Sequence, residues 1–255
     1  LPTKTPPNLS AARVVAIIPA RLGSTRFPEK VLADRTGRTL IQHVYDAAKA
    51  AGSLDHVVVA VDDPRVRDAV ESFGGTAVMT SSTHANGSSR LAEAARLLRL
   101  AEDVLVVNVQ GDEPELEASV IDTLVREALK ARAPVATIAS PIENDAEFAN
   151  PNVVKVVRRV DHTALYFSRA SIPFPRTSHG PRALKHIGIY AYRAAFLQRY
   201  VMMTPTPLEL AESLEQLRVL EHGQEILVVE HPVTTTGIDT PEQYEAFVER
   251  WGKGR

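Results

Sequence analysis

The chain has 255 residues, 44% hydrophobic and 24% charged, with 29 basic against 31 acidic side chains and a net charge of -2, the composition of an ordinary globular protein of one large or two small domains. The absence of cysteine excludes disulfide scaffolds, zinc fingers, iron–sulfur clusters and cysteine nucleophiles. Near charge balance excludes a large basic field for nucleic acid, though not a small basic pocket for a phosphorylated ligand, and no apolar run approaches the roughly 18–20 residues that a bilayer span needs.

Residues 1–13 carry three prolines and two cations but no apolar segment or small-residue cleavage pattern. They are expected to form a flexible tail rather than a signal peptide. Residues 14–18 are a β-branched apolar run and predict a strand, followed by a helix over 40–51 that ends at Gly52. Residues 57–61 predict a second strand. Asp63 and Pro64 supply N-cap and first-turn signals for a helix running to Gly74-Gly75. Strands over 76–79, 104–109 and 135–140 alternate with helices over 88–99 and 117–130. This alternation predicts an α/β fold: a mostly parallel sheet covered on both faces.

After Pro141 the rhythm changes. Strands are predicted over 153–160 and 186–192, with a proline-, arginine- and serine-rich loop over 168–181 between them. A helix over 208–220, a strand over 226–229 and a closing helix over 241–251 follow. The expected organisation is a domain over 14–255, to which about 141–205 contribute a smaller lobe.

Open parallel sheets bind ligands at the carboxyl ends of their strands. The loop after the first strand, Pro19-Ala-Arg-Leu-Gly-Ser-Thr-Arg-Phe-Pro-Glu-Lys30, matches neither the dinucleotide nor the P-loop fingerprint. It does bring three cations, Arg21, Arg26 and Lys30, around Gly23, Ser24 and Thr25. Arginine forks, a lysine point charge and approachable backbone N–H groups suit a triphosphate; a solvated basic loop has the same composition. The fourth strand ends in Val109-Gln-Gly-Asp-Glu-Pro114, where Asp112 either completes a turn or holds Mg²⁺ with phosphate oxygens. In Gly237-Ile-Asp-Thr-Pro-Glu-Gln243, Thr240 is the N-cap and Gln243 completes a capping box. Asp239 is thereby left free to act as a second metal ligand, as phosphoryl transfer with one or two Mg²⁺ requires. His186, inside an apolar strand, reads first as a satisfied core histidine, and Glu215 and Gln216 as the solvated face of a helix.

Taken in order, several segments resemble the 3-deoxy-manno-octulosonate (Kdo) cytidylyltransferases, or CMP-Kdo synthetases. They are Ile18-Pro-Ala-Arg-Leu-Gly-Ser-Thr-Arg-Phe-Pro-Glu-Lys30, Asn108-Val-Gln-Gly-Asp-Glu-Pro114, Asn150-Pro-Asn-Val-Val-Lys-Val-Val157, Ala164-Leu-Tyr-Phe-Ser-Arg-Ala-Ser-Ile-Pro173, His186-Ile-Gly-Ile-Tyr190, Leu214-Glu-Gln-Leu-Arg-Val-Leu220 and Gly237-Ile-Asp-Thr-Pro-Glu242. The first is shared with many sugar nucleotidyltransferases; the ordered set is specific.

The resemblance implies a Rossmann-like fold of nucleotide-diphospho-sugar transferase type with a dimerisation lobe. It also implies a cytoplasmic homodimeric enzyme of lipopolysaccharide biosynthesis that uses CTP, Mg²⁺ and a Kdo-type sugar acid. Arg21, Lys30, Asp112 and Asp239 are then catalytic, the two aspartates as metal ligands. Arg21, Gly23, Ser24, Arg26, Lys30, Asn86, Gly87 and Arg90 bind nucleotide, and Gln110, Arg169, His186, Tyr190, Glu215 and Gln216 line the sugar pocket. One segment departs from the family pattern. Where His-x-Ser-Gly-Thr-acid-Arg is usual, this chain has His84-Ala-Asn-Gly-Ser-Ser-Arg90, with Asn86 for serine and Ser89 for the acid. That leaves open a variant acceptor such as 8-amino-Kdo or a sialic acid. A sugar 1-phosphate nucleotidyltransferase and a non-catalytic nucleotide-binding module are the other readings, since fold alone does not imply activity.

Overall fold

The computed structural model describes residues 7–84, 86–131, 133–177, 182–234 and 237–253. In chain order the strands are β1 (Val14–Ala20), β2 (His56–Val61), β3 (Thr76–Met79), β4 (Leu105–Asn108), β5 (Val135–Pro141), β6 (Lys155–Arg158), β7 (Ala164–Ser168), β8 (Leu184–Arg193) and β9 (Ile226–Glu230). The helices are α1 (Leu40–Lys49), α2 (Pro64–Ser72), α3 (Gly87–Leu97), α4 (Ala118–Lys130), α5 (Asp145–Ala149), α6 (Ala194–Tyr200), α7 (Pro207–Glu212), α8 (Gln216–Glu221) and α9 (Pro241–Lys253), with a 3₁₀ turn at Lys30–Leu32.

The sheet order is β3-β2-β1-β4-β8-β5-β9. The pairs β1–β2, β1–β4, β2–β3 and β5–β9 are parallel, so the expected mostly parallel α/β sheet is the one found. Alternation along β1 divides its side chains between two layers. Val15 and Ile17 pack with Leu91, Ala94 and Leu98 of the α3 region. Val14, Ala16 and Ile18 pack with Ile41 and Val44 of α1 and with Ile121 and Leu124 of α4. A third small core of Leu40, Ile238, Tyr244 and Phe247 fastens α9 beneath the loop that follows β1.

β8 breaks the parallel pattern: it runs antiparallel between β4 and β5. Its first residues, not its last, therefore reach the sheet edge where β1, β2 and β4 end. The β5–β8 register jumps at that point, with Thr137 opposite Tyr190 and Ile138 opposite Ile187. Gly188 and Ile189 are the extra residues of a bulge, the device that commonly re-aims groups beside a site. β6 and β7 form an antiparallel hairpin whose first strand also pairs β8.

Several local expectations are corrected. β7 was not anticipated, and only 169–177 of the predicted loop are described without a strand, residues 178–181 lying outside the described residues. The helix predicted over 208–220 is two helices, broken at Ser213, whose φ of 52° is left-handed. α1 ends on Ala50 rather than Gly52. Of the predicted tail, residues 1–6 lie outside the described residues, but Leu9 is buried against the α3 layer and its N–H donates to Leu98 O at 3.1 Å. The Asp55 carboxylate accepts from Arg13 N and Val14 N, which fixes the entry to β1. No helix among the described residues is long and apolar enough to cross a membrane.

Candidate active site

The loops after β1 and β4 and the start of α9 meet at one point. Lys30 begins the 3₁₀ turn and is 9% exposed. Its Nζ donates to Asp112 Oδ2 at 2.9 Å, Asp239 Oδ1 at 3.2 Å and Ile238 O at 2.6 Å. Arg26 Nη2 lies 3.1 Å from Asp239 Oδ2. Two carboxylates from loops more than a hundred residues apart in sequence thus share one ammonium. The loops are further tied by Ile238 N donating to Asp112 O at 2.8 Å. The capping box of α9 is formed, with Gln243 Oε1 accepting from Thr240 N and Asp239 N, and Thr240 Oγ1 accepting from Gln243 N. The Asp239 side chain is therefore not spent on the helix.

Gly111 is required by approach: a Cβ there would sit 2.7 Å from Pro19 O. Next to Asp112, burial and the neighbouring carboxylate push the Glu113 carboxyl up to about 7. Among the described residues no three His, Asp or Glu side chains form a metal cluster. A pair of carboxylates that already converges on a cation fits Mg²⁺, which takes one or two carboxylates and completes its shell with phosphate oxygens and water.

These groups line an ionic cleft of about 410 Å³ with Arg21, Ser24, Asn86, Gly87 and Arg90. Gly87, Gln110 and Glu215 are shared with an adjoining chamber of about 300 Å³ walled by His186, Tyr190, Tyr192, Tyr200 and Gln216. In the chamber, Gln110 Nε2 donates to the bulged Gly188 O at 3.0 Å. Thr137 Oγ1 donates to Ile189 O at 2.7 Å and lies 3.1 Å from His186 Nε2. Since the hydroxyl proton goes to the carbonyl, Nε2–H of the imidazole is the donor and Nδ1 the acceptor. Burial holds the His186 pKa at about 4, so the ring is neutral at pH 7. His186 contributes to both the core and the chamber wall. Of Glu215 and Gln216, expected on a solvated face, Gln216 is buried in the chamber wall, while Glu215 stays exposed but opens onto both halves of the cleft. Desolvation within the cleft raises the Glu215 carboxyl, which accepts from Ser88 Oγ at 3.3 Å.

Gly23 and Arg169 line neither half of the cleft. Arg169 departs from the expected sugar-pocket position because its guanidinium is engaged by backbone. Nε donates to Glu212 O at 2.7 Å, Nη1 to Pro151 O at 3.1 Å and Nη2 to Ser213 O at 3.4 Å. It braces the turn that precedes Glu215. Glu212 in return accepts from Ser168 Oγ and Arg169 N, and the fully buried Lys155 ammonium donates to Asn150, Val153 and Arg169 carbonyls.

The departing segment resolves locally. Asn86 is the N-cap of α3, accepting from Ser89 N at 2.9 Å, while Ser89 Oγ donates back to Asn86 O at 3.0 Å. Asn86 lines the ionic half and Ser89 neither; Ala85 lies outside the described residues. One residue missed by sequence reasoning is Asp62. Its Oδ1 accepts from Leu22 N at 3.0 Å and its Oδ2 from Arg90 Nη2 at 2.9 Å, while Arg90 Nη1 donates to Thr80 Oγ1 at 2.7 Å. Asp62 thereby fixes the backbone of the cationic loop. The adjacent Asp63-Pro64 cap signal masks it in the sequence.

A family model described as Cytidylyltransferase matches residues 15–226. A 3-deoxy-manno-octulosonate cytidylyltransferase of Syntrophobacter fumaroxidans is 52% identical over 240 residues, 92% of this chain and 96% of that protein. One of Idiomarina loihiensis is 47% identical, over 93% of this chain and 98% of that protein. The solved structure of CMP:2-keto-3-deoxy-manno-octonic acid synthetase complexed with CTP superposes with a TM-score of 0.90 at 42% identity, over 95% of this chain and 100% of that one. 4-Diphosphocytidyl-2C-methyl-D-erythritol synthase, at 15% identity and a TM-score of 0.62 over 93% of this chain and 97% of that one, shares the fold.

Proposed function

This chain belongs to the 3-deoxy-manno-octulosonate cytidylyltransferase family, and we propose from that premise that it transfers CMP from CTP to the anomeric 2-hydroxyl of Kdo. The hydroxyl oxygen attacks the α-phosphorus, the bond to the β-phosphate oxygen breaks, and CMP-Kdo and pyrophosphate leave. The observation that carries the reading is the division of one cleft into an ionic half and a polar-aromatic half meeting at Gly87, Gln110 and Glu215.

In this reading Arg21, Ser24, Arg26 and Lys30 hold the triphosphate, and the charges of the two arginines and the lysine stabilise the pyrophosphate as it departs. Asp112 and Asp239 would hold Mg²⁺, which supplies charge neutralisation at the phosphates and a lowered pKa for a nearby hydroxyl. Gln110, His186, Tyr190, Glu215 and Gln216 orient the acceptor. Asn86 and Ser89 bond to each other across the first turn of α3 and neither lines the adjoining chamber, which supports Kdo over an amino-Kdo or a sialic acid.

The product serves lipopolysaccharide synthesis, and the cytoplasm is the proposed compartment. A homodimer is proposed through the lobe built on β7 and α7, where Leu165, Leu208 and Leu210 are exposed on elements tied by Ser168 and Glu212. Light scattering should give twice the chain mass, and Leu210→Glu with Leu165→Asp should give the single-chain mass. Pyrophosphate release measured for each nucleoside triphosphate with Kdo, 8-amino-Kdo, a sialic acid and a sugar 1-phosphate tests the activity. CTP with Kdo should dominate; equal release with an unrelated sugar phosphate would overturn the reading.

A further inference from the structure

Asn108 is the last residue of β4 and is 4% exposed. Every other position of that strand is a buried Leu or Val. Its Oδ1 is buried without a hydrogen-bond partner, and the side chain lines the smaller chamber with His186, Tyr190 and Glu215. The Gln216 Nε2 lines the same chamber and is likewise buried and unpartnered. A buried polar atom without a partner costs the fold roughly the desolvation of that group. A valine would continue the strand at no such cost, because β-branched residues suit a strand buried on both faces.

From this we infer that Asn108 is a specificity-determining residue, its amide reserved with that of Gln216 for hydroxyl groups of the sugar-acid acceptor. The inference rests on the proposed Kdo reading. Hydroxyl groups both donate and accept, so a polyol satisfies an amide in either orientation. The triphosphate is excluded as the partner, because the Asn108 side chain lines the chamber and not the ionic cleft that holds Arg21, Arg26 and Lys30. A site that hydrogen-bonds a substrate hydroxyl discriminates strongly against analogues lacking it.

Asn108→Val and Asn108→Ala separate this role from a structural one, because they should move stability and acceptor binding in opposite directions. With the orphan amide gone, Asn108→Val should melt at or above the wild-type temperature. Its KM for Kdo should rise about tenfold or more while its KM for CTP stays within about twofold. Asn108→Ala, which also leaves a small void, should show the same KM pattern. A Kdo KM unchanged in both variants overturns the inference while leaving the cytidylyltransferase reading intact. A melting temperature that falls in both, with both KM values rising together, also overturns it, since that is the signature of a structural residue. A wild-type protein that releases no pyrophosphate from CTP and Kdo overturns both.

Discussion

Lys30 Nζ sits 2.9 Å from Asp112 Oδ2, so the ammonium occupies the mouth of the carboxylate pair that would take a divalent cation. Under the proposed function a metal and the lysine would compete for the same oxygens until a triphosphate gave the lysine another partner. Lys30→Met should bind Mn²⁺ in the absence of nucleotide roughly tenfold more tightly than wild type, read by electron paramagnetic resonance of free Mn²⁺. Asp112→Asn should lower kcat by about a thousandfold while CTP still binds measurably by calorimetry. Near-normal turnover in Asp112→Asn would remove the metal assignment.

Asp62 connects the cationic loop to α3 through Leu22 N and Arg90. Asp62→Asn keeps an acceptor for Leu22 N but leaves the Arg90 charge, 4% exposed in its side chain, without its counter-ion. The CTP KM should rise about tenfold with little change in the Kdo KM. Asp62→Asn combined with Arg90→Gln should cost less than the sum of the single variants, since both remove one interaction.

The His186 imidazole is held at about 4 by burial, against an ordinary 6.5. Below pH 6.5 the unfolded chain takes up a proton here that the folded chain refuses until about pH 4. Folding stability contributed by this group is therefore full above pH 6.5, is lost as the pH falls, and levels off below about 4. The full loss amounts to roughly 3 kcal/mol. His186→Gln should flatten that part of the stability curve, measured by urea unfolding at pH 7, 5.5 and 4.5.

Gly111→Ala should move the two ligand loops apart. The added methyl would lie 2.7 Å from Pro19 O, a backbone atom that cannot yield without shifting the end of β1. A loss of about 1–3 kcal/mol is expected in denaturant unfolding, together with weaker CTP binding.

Arg169 acts on the acceptor half from outside it. Arg169→Lys cannot reach the carbonyls of Pro151, Glu212 and Ser213 together, because the three are met by three different nitrogens of a planar fork and an ammonium donates from one nitrogen only. The expected result is a several-fold rise in Kdo KM at constant CTP KM, with the turn before Glu215 exchanging amide hydrogens faster.

The ionic half of the site was legible because most of its residues lie in short loops directly after apolar strands, where cations and aspartates stand out. The acceptor half was less so. Apolar alternation over 186–192 announces a strand but carries no information about its direction, and direction decides that the start of β8, with His186, rather than its end at Arg193, lies at the edge where β1, β2 and β4 end. Helical spacing runs through Ser213 without a glycine or proline to signal the break. The break is spanned by the buried Arg218–Glu209 ion pair and braced from outside by Arg169, contacts that periodicity cannot register. Asn108 was readable as a polar residue ending an apolar strand, but its missing partner is a tertiary fact.

Inserting β8 antiparallel makes the two halves of the cleft separable along the chain. The ionic half is drawn mainly from residues 19–112 with Asp239, and the other chiefly from 186–219. A fold so partitioned can vary most of the smaller chamber in the later block while the ionic half is left intact, Ser88 and Asn108 being the residues that the earlier block supplies to that chamber alone. Gly87, Gln110 and Glu215, which face both, are the positions where the two histories must agree.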